Sequence, residues 1–389
     1  MKKSIIVLIT LVISTCFISP VMASEKAADF LKSKVVTSGD GLYEDSTESG
    51  RYVFRGANPN NFIKLGDDLY RIISIESDGT LKVMSQNGID RDDHAWDDRG
   101  ARYSLDSNDY CNSSDGCNAW GSNTTTLDSN GNHVAQITVD NQQYNLPDKE
   151  ASLNAYLNGE WYESLDKNVQ NLIVNHEWNI GNVTSGEKAL SESVQEESAY
   201  KWNGKVALIN VTDFVKAAIS NNGDCNSVKD YGGSTCVNNS QNYLSSKDYM
   251  GFGYVFLTPY IFSYSNVLNT TDVKAYGDTG ISAPSFARIT NFDVNGNSIY
   301  NYSSYPVFFL KSDITLSGSG SSSDPFTVSL YKDETIQDSQ ESTEQPSQVV
   351  EVPSTSAYAS LIIGAVGIIC IIVAIVVMYF TSRKKKVKD

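Results

Sequence analysis

The chain has 389 residues, of which 46 are acidic and 30 are basic, so its formal net charge at neutral pH is −16. A charge of this sign and size disfavours nucleic acid and anionic lipid surfaces as partners, because both are negatively charged themselves. With only three histidines, none beside another in sequence, a histidine-based triad or metal centre has few candidate members.

The N-terminus predicts export from the cell. Lys2 and Lys3 precede a mainly apolar run at residues 5–13, and a small-residue exit follows at Val21, Met22 and Ala23. This run is shorter than the ~20 apolar residues that span a bilayer. We therefore predict a signal peptide at residues 1–23, cleaved after Ala23. Lipidation at Cys16 is an alternative, which the preceding residue, Thr15, disfavours.

A short helix and a polar connector are predicted at residues 24–49, before a folded domain at residues 50–331. Apolar residues follow strand-like patterns over 62–75 and 81–84, and Asp78-Gly79 lies between these two segments. Asp-Gly between strand patterns is typical of a tight hairpin turn. The stretch Asp128-Ser129-Asn130-Gly131-Asn132 has similar turn chemistry.

The middle of this domain has helical character. Apolar residues recur at helical spacing over 152–157 and 164–178, which predicts two helices. A buried strand is expected at 206–211, followed by a helix that Thr212 or Asp213 caps and that runs to about residue 219. The predicted fold class is therefore α+β, a strand-rich ectodomain with a few central helices.

The C-terminus predicts a membrane anchor. Residues 332–356 are rich in Glu, Gln, Ser and Pro and read as an acidic disordered stalk, whereas residues 357–380 carry no charge. An uncharged apolar segment of this length is typical of a transmembrane helix. The basic tail at residues 381–389 would stay in the cytoplasm, which predicts a single-pass plasma-membrane protein with its N-terminus outside, at the cell surface.

The residues before this helix resemble a cell-wall sorting signal. Val352-Pro353-Ser354-Thr355-Ser356 is similar to the Leu-Pro-x-Thr-Gly motif of sortase substrates. Val352 replaces the Leu, and Ser356 replaces the Gly at the cleavage junction. These two departures favour retention in the membrane over cleavage by a sortase.

Four cysteines fall in the predicted extracellular part. Cys111 and Cys117 enclose one polar loop, and Cys225 and Cys236 enclose another. An even number of cysteines outside the cell favours disulfides, and bridging within each pair is the simplest of the three connectivities. Zinc binding is the alternative, but neither pair has the spacing of a typical zinc site.

Candidate binding residues are aromatic or acidic. Several tryptophans are candidates for exposed rings that a ligand could contact. We expect at least half of the large aromatic rings in the domain to be buried instead. These tryptophans are Trp96, Trp120, Trp161 and Trp202. An acidic cluster offers carboxylates that could gather calcium, with a solvated loop as the alternative. The cluster comprises Asp90, Asp92, Asp93, Asp97 and Asp98. No other metal or cofactor is predicted, and no catalytic residue is identified.

Several segments together resemble an uncharacterised extracellular domain of bacterial surface proteins of the Gram-positive type. They include Tyr70-Arg71-Ile72-Ile73, Asp78-Gly79-Thr80 and Ser152-Leu153-Asn154, and also Arg55-Gly56-Ala57-Asn58-Pro59-Asn60-Asn61, Tyr156-Leu157-Asn158, Pro306-Val307 and Leu310-Lys311-Ser312. The order of elements is also remotely similar to C-type-lectin-like and formylglycine-generating-enzyme-like folds. The lectins' calcium motif and the paired catalytic cysteines of the enzymes are not evident, so the resemblance implies neither activity.

The functional hypothesis rests on location. A non-enzymatic surface module that binds or adheres to a ligand is predicted, with a glycan, an envelope polymer or a host surface protein as partner. The alternatives are a cell-envelope hydrolase with unidentified catalytic carboxylates and a purely structural envelope protein.

Overall fold

A computed structural model describes residues 25–89, 120–139, 142–181, 183–184, 189–219, 240–245, 254–261, 268–273 and 304–331. The chain divides into two units, Met1–Lys332 and Asp333–Asp389, and all of these residues lie in the first. They form a strand-rich α+β structure with few helices, which confirms the predicted class at this level.

The described elements run in the following order. The N-terminal part contains α1 (Ala27–Lys32), β1 (Gly41–Glu44), β2 (Tyr52–Arg55), β3 (Phe62–Leu65), β4 (Asp68–Ile75), β5 (Leu81–Ser85), β6 (Thr126–Asp128), β7 (Gln136–Val139) and β8 (Gln142–Asn145). The centre contains α2 (Ser152–Tyr156), a π-helical turn (Leu157–Trp161), α3 (Tyr162–Ser164), α4 (Lys167–Leu172), β9 (Ile173–Val174), β10 (His176–Asn179), β11 (Val183–Thr184) and α5 (Leu190–Glu197). The remainder contains β12 (Tyr200–Gly204), β13 (Val206–Ala207), α6 (Val211–Lys216), a 3₁₀ turn (Tyr243–Ser245), β14 (Tyr254–Ile261), β15 (Leu268–Val273), β16 (Val307–Leu310), β17 (Ile314–Ser317) and β18 (Thr327–Leu330).

The largest described sheet has eight strands, and all of its pairs are antiparallel. Its main order is β1-β2-β4-β5-β16-β13, with β3 beside β4 and β9 beside β16. The late strand β16 therefore lies between β5 and β13, and it brings the end of the domain into the centre of the sheet. A smaller antiparallel sheet has the order β10-β12-β6, and β11 pairs in parallel with β14.

The predicted N-terminal hairpin is confirmed. Strands β4 and β5 pair from Tyr70↔Ser85 to Ile75↔Leu81. The Asp78 carboxylate accepts hydrogen bonds from the backbone N–H and the hydroxyl of Thr80, and Gly79 has φ of 84°. A side chain would be strained at that backbone conformation, so glycine suits the turn. The Asp128 turn has a related construction, with Gly131 at φ of 81°.

The core lies against the central strands of the large sheet. Ile72, Leu81, Val83, Val307 and Phe308 are completely buried. Burial of each such side chain stabilises the fold by roughly 1.5–3 kcal/mol. Helices α1 and α6 add buried apolar residues to the same cluster.

The helix predicted at residues 164–178 is wrong in its second half. Within this range α3 ends at Ser164, α4 follows, and the chain then becomes extended as β9 and β10. Ile173 pairs with Leu310 of β16, while Trp178 pairs with Trp202 of β12. Pairing with two distant strands therefore overrides the helical spacing of the sequence.

The strand expected at 206–211 is also shorter than predicted. It is limited to β13, and the following helix α6 already begins at Val211. Among the residues that the structure describes, no helix is both long and apolar enough to cross a bilayer. The predicted signal peptide, stalk, transmembrane helix and basic tail lie outside the described residues.

Candidate functional site

Many of the sequence-predicted site residues lie outside the described part of the chain. These are Trp96, the acidic cluster of Asp90, Asp92, Asp93, Asp97 and Asp98, and the four cysteines Cys111, Cys117, Cys225 and Cys236. Within the described residues, no group of three or more His, Cys, Asp or Glu side chains is arranged to hold a metal ion.

Two of the remaining candidate tryptophans are buried. Trp120 and Trp202 are 2% and 3% exposed, and their rings pack edge to face with centroids 5.9 Å apart. Trp178 joins them, 6.5 Å from the Trp202 ring, and donates its indole N–H to the carbonyl of Gly204. The three rings form an aromatic core beneath β10 and β12, so Trp120 and Trp202 are core residues, although Trp202 also borders the first cavity described below.

The third candidate, Trp161, lies in a segment that borders two cavities. This segment is the continuous helical run α2, π-helical turn and α3. π-helical turns occur frequently at functional sites. Asn158 and Tyr162 border the first cavity, whereas Tyr156 and Trp161 border the second.

The first cavity, which we name the amide cleft, is an open depression of about 920 Å³. Its wall combines amide, carboxylate and ammonium groups with an almost equal share of apolar surface. The lining residues include Glu150, Asn154, Asn158, Tyr162, Glu163, Lys167, Gln170, Asn175, Trp202, Asn203 and Lys205.

Three of these amides build the cleft. The Oδ1 atom of Asn158 accepts hydrogen bonds from the backbone N–H groups of Lys205 and Val206, at 3.1 and 3.0 Å. Its Nδ2 atom donates to the Val206 carbonyl at 2.8 Å. Asn154 donates to the Trp120 carbonyl, and Gln170 donates to the carbonyl of Leu165. The Asn158 bonds fix the π-helical turn against the start of β13, whereas the other two tie α2 to Trp120 and α4 to Leu165.

Other polar groups in the amide cleft remain available to a ligand. Asn175, Asn203 and Glu163 are exposed, and Glu150 is half-buried. None of these four side chains forms a hydrogen bond within the described residues. Lys205 lies 4.1 Å from the ring centroid of Tyr162 and donates to its hydroxyl at 2.9 Å. The cleft therefore offers hydrogen-bond donors and acceptors side by side.

The second cavity, which we name the acidic pocket, has a volume of about 430 Å³. Asp67, Asp68 and Asp166 border it, together with the aromatic rings of Tyr70 and Trp161. The Trp161 ring is half-buried and lies 6.3 Å from Phe308, so part of it reaches the pocket.

A buried cluster of charges, which we name the ion network, was not predicted from the sequence. It consists of Asp45, Glu48, Arg51, Glu76, Lys82, Asp213 and Lys216. Arg51 contacts four carboxylates, including Asp45 at 2.8 Å and Asp213 at 2.6 Å. Lys82 contacts Asp213 at 2.6 Å, and Lys216 contacts Asp45 at 2.8 Å.

The ion network has the character of a structural element. Burial alone raises the pKa of Asp45, but attraction to Lys216 and Arg51 outweighs that effect and lowers the pKa to about 2. Each cation in the network is bonded to at least one carboxylate, so none is free to bind a ligand. The network links the loop around Arg51 to β5 and to α6.

Glu197 is a separate buried carboxylate beside this network. It accepts hydrogen bonds from the Thr212 hydroxyl and from the Thr258 hydroxyl, the latter at 2.5 Å. Burial raises the pKa of Glu197 to about 7, which outweighs the lowering effect of these hydrogen bonds. The carboxyl group holds the end of α5 against the start of α6.

Local structure explains the positions of His176 and of the Asp128 turn. His176 stacks on Phe309, with centroids 3.7 Å apart, and its Nε2 atom lies 3.5 Å from Asp78. The Asp128 carboxylate accepts the backbone N–H groups of Asn130 and Asn132, both at 2.9 Å. The bond from Asn132 contributes most to lowering the pKa of Asp128. The Asp128 carboxylate therefore stabilises its own turn.

No family model, curated protein or solved structure matches this chain. The resemblance to an extracellular domain of bacterial surface proteins therefore stays a prediction from the sequence.

Proposed function

We propose that the chain is a cell-surface binding protein and that its amide cleft takes a carbohydrate. The observation that carries this proposal is the set of available donors and acceptors in one open cleft: Asn175, Asn203, Glu150, Glu163 and the Lys205–Tyr162 pair. The export signal, the membrane helix at residues 357–380 and the C-type-lectin-like assignment belong to the same proposal and rest on the sequence.

A sugar suits the chemistry of this cleft. Each sugar hydroxyl both donates and accepts hydrogen bonds, so it needs amides and carboxylates rather than one sign of charge. The cleft volume lies within the range of roughly 300–1,000 Å³ that is typical of ligand sites. An apolar ligand is disfavoured, because it would leave the desolvated amides and carboxylates of the wall without hydrogen-bond partners.

The test is a glycan-binding screen with the whole chain, purified in mild detergent. Saturable binding to one class of glycan is expected. The double variant Asn175→Ala and Asn203→Ala should weaken that binding by about thirtyfold, since two hydrogen bonds of about 1 kcal/mol each are lost.

A matched control is Asn171→Ala, which removes an exposed amide on α4 that borders neither cavity. It should leave the affinity unchanged. Absence of glycan binding, or equal affinity in the double variant, would refute the proposal. Release of shortened glycans would reassign the protein as a hydrolase, with Glu150 and Glu163 as the first carboxylates to replace.

A further inference from the structure

The acidic pocket has features that the proposed glycan cleft does not use. No Lys, Arg or His is among the described residues that border it, whereas three aspartates are. Lys64 lies 4.0 Å from Asp67, but both side chains are largely exposed, so the contact is weak. Among the described residues that border the pocket, the three aspartates therefore have no cation to balance their charge.

Two of these aspartates are held in place by hydrogen bonds. Asp68 accepts a bond from the side-chain amide of Asn87 at 3.2 Å. Asp166 caps α4 by accepting the backbone N–H of Asn168 at 2.7 Å. A neutral donor uses only part of a carboxylate's capacity to accept hydrogen bonds, so further lone pairs remain for a ligand.

The hydroxyl of Tyr70 is a second, independent sign of a ligand. Tyr70 is only 2% exposed, and its ring packs edge to face on Phe308 at 5.3 Å. Its hydroxyl forms no hydrogen bond within the described residues, and the acidic pocket is the cavity that Tyr70 borders. Buried phenol groups normally have a partner. Burial, with a smaller contribution from Asp68, raises the pKa of Tyr70, so the hydroxyl stays neutral and can accept a hydrogen bond.

Apolar and aromatic groups complete the pocket. Leu65, Leu165 and Val169 form an apolar wall, and the Trp161 ring borders the same space. A cation over an indole face gains roughly 0.5–2 kcal/mol. The combination favours a ligand with an apolar stem and a cationic end.

We propose that the acidic pocket binds a primary alkylammonium group, such as a lysine side chain of a partner peptide. The three N–H donors of the ammonium group would be shared among Asp68, Asp166 and the Tyr70 hydroxyl. The methylene stem would pack against Leu65 and Val169. This site is distinct from the amide cleft and does not depend on glycan binding there.

The test compares two matched probes on the whole chain by isothermal titration calorimetry. Nα-acetyl-lysine methylamide should bind saturably, and its affinity should fall as salt is raised, because charge attraction contributes. Nα-acetyl-norleucine methylamide has a similar stem but no ammonium group, and it should bind at least tenfold more weakly. Failure of the lysine probe to bind, or equal affinity for the two probes, would overturn the proposal.

Three variants locate the site. Asp68→Asn and Asp166→Asn remove charge but keep the local hydrogen bonds, since asparagine also caps helices well. Each should lower the affinity for the lysine probe by about tenfold. Tyr70→Phe keeps the buried ring and should lower the affinity for the lysine probe several-fold. Asp148→Asn removes an exposed charge that does not border the pocket and should have no effect.

Two readouts separate binding from folding and from metal capture. The thermal midpoint of each variant should stay close to that of the parent chain. Unchanged affinity in all three variants would refute the site. If calcium binds without the amine and its binding depends on the same aspartates, the pocket would be reassigned as a metal-ion site.

Discussion

The Asp213 carboxylate lies between Arg51 and Lys82, 2.6 Å from a nitrogen of each. Burial alone raises the pKa of Asp213, but attraction to Lys82, Arg51 and Lys216 outweighs it and holds the pKa well below its ordinary value. Arg51 has three other carboxylates within reach. For Lys82, Asp213 is the only carboxylate partner in the described part of the chain.

Asp213→Asn should therefore destabilise the fold strongly. The variant leaves Lys82 buried without a carboxylate, and loss of one partner of a buried pair typically costs about 3–5 kcal/mol. Urea unfolding followed by circular dichroism measures this change in the free energy of unfolding. Asp313→Asn, at an exposed position, should change it by less than about 0.5 kcal/mol. A loss below about 1 kcal/mol in Asp213→Asn would contradict the assigned role of the network.

Sequence reasoning missed the ion network because its partners are far apart in the chain. Lys82 and Asp213 are separated by 131 residues, and Arg51 and Asp213 by 162. A usable signal was nevertheless present. Lys82 interrupts an apolar strand, while Asp213 and Lys216 interrupt an otherwise apolar helix. Charges at positions that a pattern assigns to the core favour buried pairing.

At the scale of elements, local patterns predicted the hairpin β4–β5 and the helix α1, because turn chemistry and spacing lie within a few residues. They failed after Leu172, where pairing of β9 with β16 and of β10 with β12 decides the conformation. The amide cleft could not be predicted for the same reason. Its wall joins α2, α4 and β12, whose proximity depends on the tertiary fold.

Asn158 is the side chain that ties the π-helical turn to β13. Asn158→Ala removes the acceptor of two backbone N–H groups and the donor to the Val206 carbonyl. We expect a loss of about 2 kcal/mol, since partly buried backbone groups lose their partners. Hydrogen exchange should show faster exchange at the amides of Lys205 and Val206.

The control for this variant is Asn171→Ala, an exposed asparagine on α4. This variant should change neither the free energy of unfolding nor the hydrogen exchange at the amides of Lys205 and Val206. Unaltered exchange at Lys205 and Val206 in Asn158→Ala would show that another contact fixes the junction. If the junction loosens as expected, glycan affinity should fall as well, because Lys205 and Tyr162 border the amide cleft.

At the scale of the whole molecule, two buried carboxylates, Asp45 and Glu197, change the free energy of unfolding in opposite directions as pH rises. Asp45 has a pKa lowered from 3.8 to about 2 on folding, so its contribution is present above 3.8 and is lost as pH falls through about 2. Glu197 has a pKa raised from 4.5 to about 7, so its contribution is full below 4.5 and is lost as pH rises through about 7. The net charge of −16 adds self-repulsion at neutral pH.

The free energy of unfolding should therefore peak between about pH 4 and pH 5 and fall toward pH 8. The Glu197 shift alone accounts for a loss of about 3 kcal/mol over that interval. Glu197→Gln keeps a neutral hydrogen-bonding group at all pH values and should remove most of this slope. Glu44→Gln, at an exposed position on β1, should retain it. Urea unfolding at a series of pH values measures both profiles. An equal slope in Glu197→Gln would mean that general charge repulsion, rather than the buried carboxyl group between α5 and α6, sets the response of the domain to pH.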